Sequence, residues 1–169
     1  LHNFKTMKII KLKDFKVKDS FEDFYNWLQK DLNKVNKIIL ENLETDSSLI
    51  TELSNHIIGS GGKRIRPLLT LATARLCHYS GSRHLTLASV IEFIHTATLL
   101  HDDVVDGSKK RRGKKTANFI WGNKSSILVG DFLLSKAFKI LINDGSLKCI
   151  DIVSNVSEKI SFGEVKQLM

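Results

Sequence analysis

The sequence predicts an all-α fold. Three observations carry that expectation. Apolar residues recur at helical spacing through most of the chain, and no segment alternates convincingly at period two. A single proline and 8% aromatic residues also suit helices better than a β-sandwich. A chain of 169 residues is long enough for one domain with a real core. The expected organisation is a basic N-terminal segment over residues 1–20 and one helical domain over 21–169.

Each helix has its own signature. Phe21, Phe24, Leu28, Leu32, Val35 and Ile39 make one face of a first amphipathic helix over 21–43. A short second helix covers Leu49–Ile58. "GSGGKRIRP" interrupts the pattern, and Pro67 suits the first turn of a third helix running to about Tyr79. A long fourth helix covers about 84–106, with a stripe of Leu87, Val90, Ile91, Ile94 and Thr98 and a stop at Gly107. Residues 108–115 are a basic loop. Helices at about 124–142 and 147–168 follow, separated by Asn143-Asp144-Gly145.

The net charge is +8. That permits nucleic acid, anionic membrane or phosphorylated small molecules as partners without choosing among them. No apolar run approaches the length of a membrane span. The first twenty residues hold six lysines, no arginine and two acids, with no signal-peptide apolar core. Cys77 and Cys149 lie far apart without metal-type spacing. A reducing, cytoplasmic setting is the expectation.

The stretch "LLHDDVVDGSKKRRGKK", residues 99–115, packs three aspartates beside six cations. Asp102 and Asp106 are four apart on a helix and so project from one face. Two such carboxylates repel unless a cation lies between them, and an oxygen-only donor set suits Mg²⁺. The bland alternative is a solvated acidic helix end. Acids there oppose the helix dipole, however, at a cost of a few tenths of a kcal/mol or more. His95 sits two turns before Asp102 on the same face, roughly 10 Å away along the axis. It can donate to a phosphate oxygen, although a lone His on such a helix is more often simply hydrogen-bonded in place.

"GGKRIRP" supplies Gly61 and Gly62 for close backbone approach, Lys63 as a point charge, and Arg66 as a planar fork. The helix N-terminus beyond adds free N–H groups. Together these suit a diphosphate. A Walker loop is excluded, because Ile57 stands where its first glycine belongs and Arg64 where Ser or Thr belongs. The alternative is a surface loop with ordinary cations. "KKRRGKK", residues 109–115, looks like a nucleic-acid patch when read alone. It starts three residues after Asp106 and lacks interleaved aromatics for stacking on bases. Arg111 and Arg112 can instead reach back over the carboxylates.

Taken together, "GGKRIRP", "VIEFIHTATLLHDDVVDGSKKRRGKKTAN", "GNKSSILVGDFL" and "GEVKQLM" resemble the trans-isoprenyl diphosphate synthases, most closely the long-chain, octaprenyl-type enzymes. The resemblance runs from about Ile58 to Met169. It implies an isoprenoid-synthase-type helical bundle, here truncated. It implies Mg²⁺-dependent head-to-tail condensation of isopentenyl diphosphate with an allylic diphosphate. By position, Lys63, Arg66 and His95 would bind the isopentenyl diphosphate, with Arg112 as a further contact. Arg111 would contact the allylic diphosphate, and Asp102 and Asp106 would hold the metal. Gln167 would face the same cavity. Ala97 and Thr98 stand where bulky residues limit product length in short-chain members, so a long product is implied. Complete members form homodimers and need no nucleic acid.

The resemblance also implies missing parts, since a second aspartate-rich motif lies well downstream in the family. The expectation is a truncated or split synthase, inactive or nearly so alone. Two other enzyme-fold readings and one binding reading stay open. A terpene cyclase also uses an Asp-rich site, but has no second diphosphate for "GGKRIRP" to bind. A non-catalytic partner subunit would keep the fold and lose the activity. A nucleic-acid module would depend on the lysines of 109–115 rather than on Arg111 and Arg112.

Overall fold

A computed structural model describes residues 17–59 and 62–168. The basic segment before residue 17, Gly61 and Met169 lie outside the described residues. The chain is organised as α1 (Val17–Leu43), α2 (Ser48–Ile58), α3 (Ile65–Leu76), α4 (Arg83–Val105), β1 (Lys110–Arg111), β2 (Lys114–Lys115), α5 (Ala117–Trp121), α6 (Asn123–Asp144) and α7 (Leu147–Gln167). The all-α expectation holds. Two features differ from the sequence reading: residues 110–115 form a minimal antiparallel hairpin, and α5 is an additional short helix. The first helix also begins before residue 21.

α4 is the central element, packed by α1, α3 and α6. The predicted stripe of α1 is confirmed, with Leu28, Leu32, Val35 and Ile39 fully buried. α4 behaves differently from its predicted pattern. Its core face carries Ala88, Phe93, Ala97 and Leu100, with Ser89 and Thr96 beside them. Of the expected stripe only Val90 is buried; Leu87, Ile91, Ile94 and Thr98 are half-buried and line clefts. The reason is that α4 is apolar on nearly every side. Periodicity could mark it as a helix but could not say which face meets the core.

Small residues let α6 approach α4 closely. Ser126 is buried and its Oγ donates to the Leu100 carbonyl at 3.0 Å, while Gly130 lies against the His101 ring. His101 is thereby a packing residue, its Nε2 3.3 Å from the Ile127 carbonyl and 3.4 Å from Asp131. At the far end, Arg83 at the start of α4 pairs with Asp144 at the end of α6, with Nε to Oδ1 at 2.7 Å. That neighbour pushes Arg83 up and holds Asp144 below the usual carboxylate range. α7 packs most loosely, with no residue fully buried. No described helix is long and apolar enough to cross a membrane.

Candidate functional site: two clefts sharing one wall

The turn between α2 and α3 sends its three cations in three directions. Lys63 is exposed at the rim, its Nζ 5.3 Å from the centroid of the Phe21 ring. Arg64 turns inward from a left-handed backbone, φ 49°, which costs a residue with a side chain about 1 kcal/mol or more. Its guanidinium pairs with buried Glu92 of α4 and donates to the Ile58 carbonyl at 3.1 Å. The turn is thus clamped to two helices at once. Arg66, on the first turn of α3, reaches His95 of α4, with Nη1 3.2 Å from Nε2.

Because arginine only donates, the Nε2 of His95 accepts and the ring proton sits on Nδ1. Burial pushes the His95 pKa below its usual 6.5, and the neighbouring Arg66, Arg112 and Arg111 push the same way; Glu92 opposes them. His95 is therefore neutral at neutral pH. The bland reading of His95, a hydrogen-bonded residue in an apolar helix, describes only half of its situation. Its partner is itself a predicted phosphate ligand, and both line the same opening.

The hairpin contributes from the other side. Arg112 and Gly113 occupy its two-residue turn with φ 51° and 80°, the all-positive geometry of a type I′ turn. This turn aims the two arginines inward. Arg111 holds buried Asp103 through Nε at 3.0 Å and Nη2 at 2.9 Å, both to Oδ1. Arg112 reaches the glycine turn so closely that a Cβ on Gly62 would sit 2.8 Å from its Nη1. The glycine is there because a guanidinium fills the space. Lys110, Lys114 and Lys115 stay exposed, Lys114 donating to the Gly59 carbonyl at 3.3 Å.

These elements enclose two clefts. The first, about 410 Å³, brings together Gly62, Lys63, Arg66, His95 and Arg112, with Glu92 paired at its base. The second, about 580 Å³, lies between α4 and α7, with Asp102 and Glu164 at one end and Ile91, Ile94, Ile152 and Val156 along its length. Arg66, His95 and Leu99 line both, so they form a common wall. A cationic cleft and an apolar cleft with an acidic mouth are the two environments that a diphosphate and a hydrocarbon tail require.

Asp102 is half-buried at the end of α4, and Asp106 is the exposed cap residue one turn on. Burial raises the Asp102 pKa, and the negative charges of Glu164, Asp106 and Asp103 raise it further, with Arg111 opposing. A half-buried carboxylate raised by burial and by negative neighbours is a fit for a divalent cation. Asp102 and Asp106 would supply carboxylate oxygens of the kind Mg²⁺ prefers, and water and phosphate usually supply others. Among the described residues no group of three His, Cys, Asp or Glu side chains is disposed to hold a metal.

Two residues nominated from the sequence lie away from the tail cleft. Ala97 does not line the tail cleft: it is 1% exposed and belongs to the core, whereas Thr98, next to it, faces the cleft. A step of one residue on a helix turns the side chain by about 100°, so the two cannot share a face. Gln167 is exposed and is not among the residues of either cleft; Glu164, one turn earlier, takes that place. Sequence reasoning missed Glu92, Asp103 and Glu164. Glu92 and Asp103 are buried charges paired with Arg64 and Arg111, whereas Glu164 is exposed at the cleft mouth.

Comparison with known proteins bears directly on these clefts. Residues 47–169 match the Polyprenyl synthetase family. The chain is 51% identical over 140 residues to octaprenyl diphosphate synthase of Escherichia coli (strain K12), covering 83% of this chain and 43% of that protein. It is 38% identical over 151 residues to an all-trans-nonaprenyl-diphosphate synthase of Rhodobacter capsulatus, covering 89% and 46%. Its fold is similar to a polyprenyl synthase of Caulobacter crescentus CB15 solved with calcium and isoprenyl diphosphate, with a TM-score of 0.86, 46% identity, and coverage of 88% and 45%. The chain spans less than half the length of these relatives. On the family match, which takes in both clefts, the chain belongs to the polyprenyl synthetase family.

Proposed function

We propose that the chain carries the diphosphate-binding half of a trans-polyprenyl diphosphate synthase, one that joins isopentenyl diphosphate to an allylic diphosphate to give a long-chain product. The observation that carries this reading is the shared wall: Arg66 and His95 stand between a cationic cleft and an apolar cleft with carboxylates at its mouth. Two diphosphate esters bound on either side would present their reacting carbons to each other across it.

In the first cleft Lys63, Arg66 and Arg112 would hold the isopentenyl diphosphate, with the neutral His95 donating through Nδ1–H. Asp102 and Asp106 would hold Mg²⁺ against the allylic diphosphate, and Arg111 would contact that same group. When bound, the metal would neutralise charge that develops on the departing diphosphate. The arginines add fixed donors to the same end, the electrostatic form of stabilisation that often dominates catalysis. The allylic cation left behind is attacked by the isopentenyl double bond, and a proton is lost. Ile91, Ile94, Thr98 and Val156 would line the tail and keep water from the cation.

Complete forms would act as homodimers in the cytoplasm. With no group of three metal-type side chains disposed to hold a metal among the described residues, we expect this chain to bind diphosphates yet turn over little. Titration calorimetry with isopentenyl diphosphate tests the binding claim: Arg66→Ala should weaken affinity at least tenfold, and unchanged affinity would overturn the assignment. Steady incorporation of labelled isopentenyl diphosphate by the 169-residue chain would refute the expected lack of turnover.

A further inference from the structure

Arg64 stands between two cations of the first cleft, one residue after Lys63 and two before Arg66. Its own charge is committed elsewhere. Its backbone is left-handed, at φ 49°, a conformation that favours glycine. The sequence places glycine at positions 59, 61 and 62, yet not here. An arginine at such a position is strained, so its side chain must supply what a glycine cannot. What it supplies is a tie. The guanidinium donates through Nη2 to the carbonyl of Ile58, at the end of α2, and pairs with Glu92 in the middle of α4. Both members of the pair are largely buried.

Glu92 is the stranger member. It lines the first cleft together with Lys63, Arg66, His95 and Arg112. On the proposed function that cleft takes an anion, and a carboxylate there repels it. The charge is felt at the cleft wall, where it supports the basicity of His95 against three arginines. A buried ion pair is also a weak source of stability beside well-packed apolar side chains. Neither charge nor stability accounts for a carboxylate in this place, but geometry does. Glu92 and His95 are three apart on α4 and so share a face. One ion pair thus fixes the turn that carries Lys63 and Arg66 against the helix that carries His95.

We propose that Glu92 is a positioning residue for the diphosphate of the first cleft: through Arg64 it locks the glycine turn so that Lys63 and Arg66 converge with His95. It acts by placing the groups that bind, not by binding. The inference rests on the proposed function and adds to it a residue outside the ligand set.

The sign of an affinity change tests this. Removing a negative charge from the cleft should tighten diphosphate binding if repulsion is all that Glu92 contributes, and should weaken it if Glu92 places the turn. The measurement is titration calorimetry of the 169-residue chain with isopentenyl diphosphate. Glu92→Gln should weaken binding at least tenfold. A second variant covers the case in which Glu92→Gln does not fold. Arg64→Gly with Glu92→Gln removes both buried charges, leaves the net charge of the pair unchanged and suits the left-handed backbone. It too should bind at least tenfold more weakly than the native chain. Adding Lys63→Ala separates positioning from mere support of the fold. In the native chain it should cost several-fold in affinity; in the double variant, whose lysine is no longer held in place, it should cost less than twofold. If the native chain binds and the double variant binds as tightly, or the Lys63→Ala loss is the same in both, this inference is overturned alone. If the native chain binds no isopentenyl diphosphate, the proposed function falls and this inference with it.

Discussion

At the scale of single residues, the site depends on side chains that neutralise one another before any substrate arrives. Arg64 and Glu92 are 28 positions apart and both largely buried. Removing the charge of Glu92 leaves Arg64 without its partner, the case in which a buried pair matters most. Glu92→Gln should therefore cost about 3 kcal/mol in chemical denaturation, whereas the exposed pair Lys37–Glu41 should contribute little. His95 gives a pH signature. Its folded pKa lies below 6.5, so the folded chain resists protonation that the unfolded chain accepts. The stability from a neutral His95 is complete above 6.5 and is lost as the pH falls below that value. Denaturation midpoints measured downward from pH 7 should fall more steeply for the native chain than for His95→Asn. Lys63, Arg66, Asp102 and Asp106 could be nominated from the sequence because phosphate and metal chemistry demand those residue types at short spacing, and the fold places Lys63 and Arg66 on one cleft and Asp102 on the next. Glu92 and Asp103 could not be, because their partners are chosen by helix packing across the fold. That Ala97 packs in the core while Thr98 faces the cleft was not visible either, because adjacency in sequence does not fix which face meets the core.

At the scale of elements, the hairpin shows how little structure is needed to aim two arginines. Its strands are two residues each, too short to display period-two alternation, which is why the segment reads as a loop. The Arg112-Gly113 turn was its one local cue. Gly113→Val places a β-branched residue at φ 80°, where the left-handed region costs about 1–2 kcal/mol. Thermal unfolding should show that loss, and calorimetry should show a larger fall in pyrophosphate affinity than the stability change implies, because Arg111 and Arg112 lose their bearing. Helix starts and stops were mostly visible in advance: Pro67 falls in the first turn of α3, and Gly145 in the left-handed conformation ends α6. The orientation of α4 was not, because a helix apolar on most sides carries no arrow pointing to the core.

Over the whole molecule, burial is graded. α4, α1, α3 and α6 share a core that includes Phe93, Leu68, Leu133 and Leu141, all at most 1% exposed, while α7 buries no residue completely and leaves Phe162 and Val165 more than half exposed. Helices with few buried contacts open locally at lower free energy. Amide hydrogen exchange should accordingly run fastest in α7 and slowest in α4 and α6; equal protection would contradict the gradient. Fold class and the order of helices were readable from periodicity and breakers. The clefts were not, since they are spaces between helices rather than properties of any one segment. The wall of Arg66 and His95 has a last consequence. On the proposed function, a ligand that pulls either side chain toward itself would reposition it for the ligand opposite, and the two sites would be thermodynamically linked. Whatever factor the first occupant imposes on the affinity of the second, the second must impose on the first.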